Sequence, residues 1–179
     1  MSFNARPLRP WLPAVIWLAC IYSTLGVVRS VNDYLETRIA LSAVISGVLI
    51  AALILIVLAA LRHAAMIRPA QWIVGMAALA GYGKMLALLP VPAERVHLAQ
   101  YGVLAFLLYR PLNLRFRGGG TYAAALVLSA LAGWGDEIIQ YYLPGRYFEW
   151  RDVGLNAVSA LLGLLMTWAF ARPDTDRKY

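Results

Sequence analysis

Cysteine and charged residues are scarce in this sequence, and each scarcity excludes a class of protein. The single cysteine, Cys20, cannot form an internal disulfide, so a disulfide-stabilised domain is excluded. Only 14% of the 179 residues are charged, whereas 61% are hydrophobic and the mean hydropathy is +0.66. A soluble domain of this size is far less apolar. The composition therefore predicts an integral membrane protein.

Six apolar segments divide the chain and predict an all-α bundle of six transmembrane helices. They are Trp11 to Val28, Ile39 to Leu61, Ala70 to Leu89, Val96 to Tyr109, Thr121 to Leu143 and Asp152 to Ala171. We expect residues 11–171 to form one transmembrane domain, with a cytoplasmic amino terminus at 1–10 and a cytoplasmic tail at 172–179. The spans leave no room for a soluble catalytic or sensory domain, so any activity is expected in the membrane or at its surface.

The net charge of +7 does not predict a nucleic-acid partner, because the basic residues lie at the ends of the spans and not in one patch. They orient the chain instead, since cytoplasmic loops of membrane proteins carry an excess of Lys and Arg. With both termini inside, ten basic residues face the cytoplasm: Arg6, Arg9, Arg62, Arg68, Arg110, Arg115, Arg117, Arg172, Arg177 and Lys178. Five face the other side: Arg29, Arg38, Arg95, Arg146 and Arg151. This excess predicts a multi-pass protein of the inner (cytoplasmic) membrane with both termini cytoplasmic.

Polar residues gather near the predicted outer ends of the third to sixth spans. They are Lys84, Glu94, Arg95, His97, Glu137, Gln140, Arg146, Asp152 and Asn156. Glu137 lies within an apolar span, where an ionisable group is costly and therefore marks a functional site unless a partner neutralises it. Small residues precede it at intervals of four, at Ala125, Ser129 and Gly133, which predicts that Glu137 lies on a packed helix face. Such small-residue faces predict packing within one bundle, with a homo-oligomer interface as the alternative.

Two groups of these residues resemble the pattern of the VanZ-like family of small membrane proteins. The first is an acid, a base, a histidine and an aromatic before an apolar helix: Glu94, Arg95, His97 and Tyr101. The second is Glu-x-x-Gln, Pro-Gly-Arg, Asp and Asn before a small-residue helix: Glu137, Gln140, Pro144, Gly145, Arg146, Asp152, Asn156 and Gly163. The resemblance covers residues 85–170 approximately. It implies a cell-envelope membrane protein linked to tolerance of the antibiotic teicoplanin, and it brings no settled biochemical mechanism.

The first functional hypothesis is an outward-facing polar pocket that binds or handles an anionic lipid or a lipid-linked phosphate. The predicted ligand-binding residues are Lys84, Glu94, Arg95, Gln140, Arg146 and Asn156. Arg95 and Arg146 are suited to phosphate oxygens because a guanidinium donates charge-assisted hydrogen bonds in a fixed fork. Lys84 either contacts phosphate, pairs with Glu137, or extends to the lipid headgroups as lysines near helix ends commonly do.

Two other hypotheses remain open. An intramembrane enzyme, a lipid hydrolase or transferase, would use Glu137, His97 and Asp152 as its catalytic acids and bases. These residues have no compact ligand spacing, so no metal and no cofactor is predicted. Alternatively, Glu137, Arg146 and Asp152 form a structural ion-pair network that binds nothing, although buried ion pairs often contribute little net stability.

Overall fold

The computed structural model describes the backbone of residues 8–36 and 41–171, and the side chains of residues 8–26, 43–91 and 94–171. Within these ranges the chain is helical and contains no strand, which confirms the predicted all-α class. The six helices are α1 (Leu12–Glu36), α2 (Leu41–Leu61), α3 (Pro69–Leu88), α4 (Pro92–Leu112), α5 (Gly119–Tyr141) and α6 (Trp150–Phe170). Short 3-10 turns at Arg9–Trp11 and Ala64–Met66 precede α1 and α3.

The helix α4 is the centre of the bundle and packs against each of the other five helices. It begins four residues before the predicted apolar segment, at Pro92, where the missing N–H of proline breaks no helical hydrogen bond. Glu94 therefore lies in the first helical turn. Further along, Tyr101 and Leu104 pack with Ile21 of α1, and all three side chains are at most 1% exposed.

A close contact between backbones joins α4 to α6 at two glycines. A Cβ added to Gly163 would lie 2.5 Å from the carbonyl oxygen of Gly102 and 2.7 Å from its Cα, so the two backbones touch. Beside them the hydroxyl of Tyr82 on α3 donates to the carbonyl of Ser159 on α6 (3.2 Å). Small residues thus bring the backbones of α4 and α6 into direct contact, as they do in many membrane bundles, and the side chain of Tyr82 joins α3 to α6.

Helices that follow one another in the chain run antiparallel, so the bundle has two chemically distinct ends. Gln71 near the start of α3 donates to the carbonyl of Trp168 near the end of α6 (3.2 Å). This end, called here the basic end, carries arginines at Arg62, Arg68, Arg110, Arg115 and Arg117. The opposite end, called here the polar end, joins the start of α4, the end of α5 and the start of α6. It holds all the acidic side chains that the structure describes, namely Glu94, Asp136, Glu137, Glu149 and Asp152.

Three of the helices are long and apolar enough to cross a bilayer, at Ala43–Leu61, Gly119–Tyr141 and Trp150–Phe170 in the described part of the chain. The chain is therefore a membrane protein with at least this spanning capacity. The first of these segments is α2, of which only 6% is buried by the rest of the protein. By contrast, α4 carries Glu94, Arg95 and Arg110 and is enclosed by other helices, so it needs less apolar surface of its own.

Candidate functional site

Asp136 of α5 is the centre of a buried hydrogen-bonded cluster at the polar end. Its carboxylate accepts from the hydroxyl of Tyr101 (2.9 Å) and from Nε2 of Gln140 (3.3 Å). Nδ1 of His97 lies 3.6 Å from Oδ2 of the same carboxylate. His97 and Tyr101 are four residues apart on α4, as Asp136 and Gln140 are on α5, so each pair shares one helix face. The two helices therefore meet through complementary polar faces.

Glu137 connects the end of α5 to the start of α6. One carboxylate oxygen accepts from Nε2 of Gln140 (3.1 Å) and the other from the backbone N–H of Glu149 (3.1 Å), the residue that precedes α6. The side chain is 1% exposed. Towards the basic end, the same face of α5 continues with the small buried residues Ser129 and Gly133. The acid is thus enclosed by protein and does not face lipid.

Arg146 is delivered to this cluster by a tight turn after α5. The N–H of Arg146 donates to the carbonyl of Leu143 (3.2 Å), with Pro144 and Gly145 between them. Gly145 has a φ of +70°, which the third position of a type II turn requires and which a side chain would strain. The loop conformation therefore depends on the Pro-Gly pair, and it fixes the position from which the arginine side chain extends.

The guanidinium of Arg146 is half-buried and is not paired with a carboxylate. It interacts electrostatically with His97, Asp136 and Glu137. Within the described residues, however, it forms no salt bridge, and its Nε is buried without a hydrogen-bond partner. The predicted structural network would need Arg146 to be paired with Glu137 or Asp152, and no such pair is formed in this part of the chain.

Asn156 and Asp152, one helical turn apart on α6, form the opposite wall of the cluster. Asn156 is fully buried, yet neither Oδ1 nor Nδ2 has a hydrogen-bond partner. Oδ1 of Asp152 is buried and unpartnered too. Asn156 packs directly on α5, because a Cβ added to Gly133 would lie 2.7 Å from the Cβ of Asn156. A buried amide without partners is unusual in proteins and normally pairs with an ordered water or a ligand.

The remaining predicted ligand-binding residues lie at the edge of the cluster or away from it. Glu94 accepts two hydrogen bonds from Arg151, each 2.9 Å long, and interacts electrostatically with His97. Arg95 donates to the carbonyl of Leu89 (2.8 Å) and to the hydroxyl of Ser46 (2.7 Å), so it joins α4 to the end of α3 and to α2. Lys84 is exposed on α3. The structure thus gathers His97, Glu137, Gln140, Arg146, Asp152 and Asn156, and leaves Arg95 and Lys84 outside.

Asp136 is the member of the cluster that the sequence analysis did not predict. A signal is present in the sequence, because Ser129, Gly133, Asp136 and Gln140 follow intervals of four, three and four, the repeat of one helix face. Among the described residues no three His, Cys, Asp or Glu side chains are arranged to hold a metal ion.

The fold and this cluster define a class of helical membrane protein with a buried polar site at one end of the bundle. The sequence model of the VanZ/LLP1 family matches residues 12–171, and the chain therefore belongs to that family. This confirms the resemblance and extends it over all six helices, including the first two, which lie outside the motif-bearing residues. Family membership indicates a membrane-associated protein of the cell envelope. No curated protein and no solved structure matches the chain.

Proposed function

We propose that the chain crosses the cytoplasmic membrane six times with both termini inside, and that the polar end faces outward. In this orientation the cluster around Asp136 and Arg146 binds an anionic lipid or a lipid-linked phosphate of the cell envelope. Tolerance of teicoplanin, which the family resemblance implies, would follow from this interaction with an envelope lipid.

The unpaired guanidinium of Arg146 is the observation that carries the proposal. The two acids that interact electrostatically with it already have other hydrogen-bond donors, namely Tyr101 for Asp136 and the N–H of Glu149 for Glu137. A phosphate oxygen would supply the acceptor that the buried Nε of Arg146 lacks. The amide of Asn156, which has a donor and an acceptor unpartnered, could bond a phosphate oxygen and a hydroxyl of the same ligand.

The proposal is tested by measuring the binding of a polyprenyl phosphate to the purified full-length chain in detergent. Arg146→Lys keeps the charge but removes the bidentate fork, so we expect the affinity to fall about tenfold. Arg151→Lys is the matched control, because Arg151 is bonded to Glu94 and its side chain is 59% exposed. Equal affinities for the wild type and Arg146→Lys would contradict phosphate recognition and would favour a structural role.

The proposed orientation is tested separately by labelling single cysteines in intact cells with a membrane-impermeant maleimide. In a Cys20→Ser background, Tyr147→Cys reports on the polar end, because Tyr147 is 78% exposed. Arg117→Cys reports on the basic end, where the side chain is also exposed. We expect Tyr147→Cys to react in intact cells and Arg117→Cys to react only after permeabilisation. The reverse pattern would place the cluster on the cytoplasmic side.

Acid–base catalysis on the bound lipid is the second candidate function, and the pairing of His97 with Asp136 favours it. Nδ1 of the imidazole lies 3.6 Å from Oδ2 of Asp136, within the distance of an ion pair, and has no hydrogen-bond partner. Such a pair is suited to a general base for a hydrolase or transferase. Glu137→Gln separates the two functions, because it should abolish turnover of a labelled lipid phosphate if catalysis occurs and should weaken simple binding only in part.

A further inference from the structure

A long apolar groove opens along the side of the bundle between α2 and helices α3, α4 and α6. Its volume is about 1140 Å³, above the range of about 300–1,000 Å³ that is typical of small-molecule pockets. On α3 it is lined by Ala70 and Gln71 at one end and by Tyr82 and Leu86 at the other, and Ala70 and Leu86 are sixteen positions apart, or about 24 Å at about 1.5 Å per residue. The hydrocarbon core of a bilayer is about 30 Å thick. The groove therefore has the dimensions for an extended chain.

The groove presents hydrocarbon even where the hydroxyl-bearing residues Tyr82 and Thr167 line it. The hydroxyl of Tyr82 donates to the carbonyl of Ser159 (3.2 Å), and that of Thr167 donates to the carbonyl of Gly163 (2.8 Å). Both hydroxyls are therefore satisfied by the protein itself. The opposite wall is formed by α2, whose contribution is entirely aliphatic and includes Ala52 and Ala59.

Positive charge is confined to the basic end of the groove. Arg68 and His63 line this end, and no acidic residue is among the residues that line the groove. Gln71 joins α3 to α6 at this end of the groove. Its Nε2 donates to the carbonyl of Trp168 (3.2 Å), and its Oε1 accepts from the N–H of Arg68 (3.0 Å). The side chain of Arg68 is exposed at this mouth. The groove is thus apolar along its length and cationic at one end, the complement of an anionic lipid.

We propose that this groove binds a glycerophospholipid, with an acyl chain against α2 and the anionic phosphate at Arg68. Basic pockets between transmembrane helices commonly bind lipid headgroups in this way. The site lies at the opposite end of the bundle from the cluster around Asp136, and it uses none of the residues of that cluster. The proposal therefore stands or falls independently of the polar site.

Native mass spectrometry of the delipidated full-length chain tests this proposal, with phosphatidylglycerol and phosphatidylcholine of identical acyl chains as probes. We expect one molecule of phosphatidylglycerol to bind in preference to phosphatidylcholine. Arg68→Gln should weaken phosphatidylglycerol about tenfold and remove this preference, whereas Ala59→Phe should weaken both lipids by filling the groove. Arg117→Gln and Ala80→Phe are the matched controls, because both residues are exposed and neither lines the groove.

Each variant is first compared with the wild type by circular dichroism and thermal melting, and Ala52→Phe replaces Ala59→Phe if the latter does not fold. Equal effects of Arg68→Gln and Arg117→Gln would show general attraction to the basic end and would overturn the proposal. Equal losses of lipid binding in Ala59→Phe and in its control Ala80→Phe would also overturn the proposal. A dimer whose formation is lost in Ala59→Phe would overturn it too, because the groove would then bind a second copy of the chain.

Discussion

The helices α2 and α4 are both 21 residues long, yet they occupy opposite extremes of the bundle. Only 6% of the apolar span in α2 is buried by protein, and its large side chains such as Ile54 and Leu55 are more than half exposed. The helix α4 carries charged residues and buries Glu94, His97 and Tyr101 among the other five helices. Of these two helices, the more apolar one is therefore the one left uncovered by the bundle, and the more polar one is enclosed by protein.

The surroundings of α2 and α4 also differ in the kind of ligand that they could bind. Around α4 the side chains are in tight contact and the binding groups are single polar atoms, such as Nε of Arg146 and the amide of Asn156. Around α2 the packing is loose and leaves a groove of about 1140 Å³. A site of the first kind selects a headgroup by hydrogen bonds, whereas one of the second kind accepts a chain by shape and length. The two proposed sites would thus hold a lipid in two different ways.

The largest expected effect comes from removing the acceptor at the centre of the polar cluster. Asp136→Leu leaves the hydroxyl of Tyr101 buried without an acceptor, and it leaves the amide of Gln140 with Glu137 as the acceptor for only one of its two N–H groups, at a cost of about 1–3 kcal/mol for each unsatisfied donor. We expect the free energy of unfolding, measured by reversible detergent denaturation, to fall by about 3 kcal/mol. Asp136→Asn retains one carbonyl acceptor and should lose less. An Asp136→Leu variant as stable as the wild type would show that the cluster does not stabilise the α4–α5 interface.

A second comparison uses one glycine from each region. Gly163→Ala places a methyl group against the backbone of Gly102, so α4 and α6 must separate, and we expect a loss of about 2 kcal/mol. A Cβ added to Gly47 of α2 meets nothing within 4 Å, so Gly47→Ala gains helix propensity and should stabilise by about 0.5 kcal/mol. Unfolding free energies that change in the same direction for both variants would contradict the packing difference between the two helices.

Truncating one leucine of α4 and one of α2 should give a smaller difference in the free energy of unfolding. Leu104 is 1% exposed and Leu55 is 65% exposed. Because lipid is as apolar as leucine, the cost of Leu104→Ala arises mainly from the cavity it leaves, and we expect about 1.5 kcal/mol. Leu55→Ala exchanges one lipid-facing apolar group for another and should change the free energy of unfolding by less than about 0.5 kcal/mol. A larger loss for Leu55→Ala would indicate that α2 has a protein partner in the membrane.

Hydrophobic segmentation was sufficient to predict the helices, because each of the six overlaps one apolar segment of the sequence. The VanZ-like pattern was sufficient to predict that the end of α5 and the start of α6 contribute residues to one site. Helix geometry explains why Arg95 did not join them. Arg95 and His97 are separated by about 200° around α4, since each residue turns the helix by about 100°. With His97 directed at Asp136, Arg95 must face α2 and α3, where it bonds Ser46 and Leu89.

Other features could not be predicted from the sequence, because they depend on the distances between helices and on the rotation of each helix about its axis. No pattern along α2 distinguishes the wall of a groove from a surface that faces lipid, since both are aliphatic. The pairing of Glu94 with Arg151 joins residues 57 positions apart on two helices and requires a defined rotation of each. The unpaired state of Arg146 is likewise a property of three elements together, namely α4, α5 and the turn that carries it.

The smallest expected effect concerns this pair of Glu94 and Arg151 at the edge of the polar end. The side chain of Arg151 is exposed, so water and salt screen its attraction to Glu94, whereas Glu94 is buried near Asp152. Removing the arginine alone leaves a buried carboxylate beside another acid. Arg151→Met should therefore be less stable than the double variant Arg151→Met with Glu94→Gln, in which the carboxylate is gone as well.

A double-mutant cycle at two salt concentrations measures this coupling. It should weaken between about 0.1 M and about 1 M salt, because the screening length falls from about 10 Å to about 3 Å. The hydrogen bonds around Asp136 are buried, and the stability they contribute should not respond to the same change. If the Arg151 coupling proved as insensitive to salt as the Asp136 cluster, the edge of the polar end would be as well enclosed as its centre. The distinction between a sealed centre and an exposed rim would then be wrong.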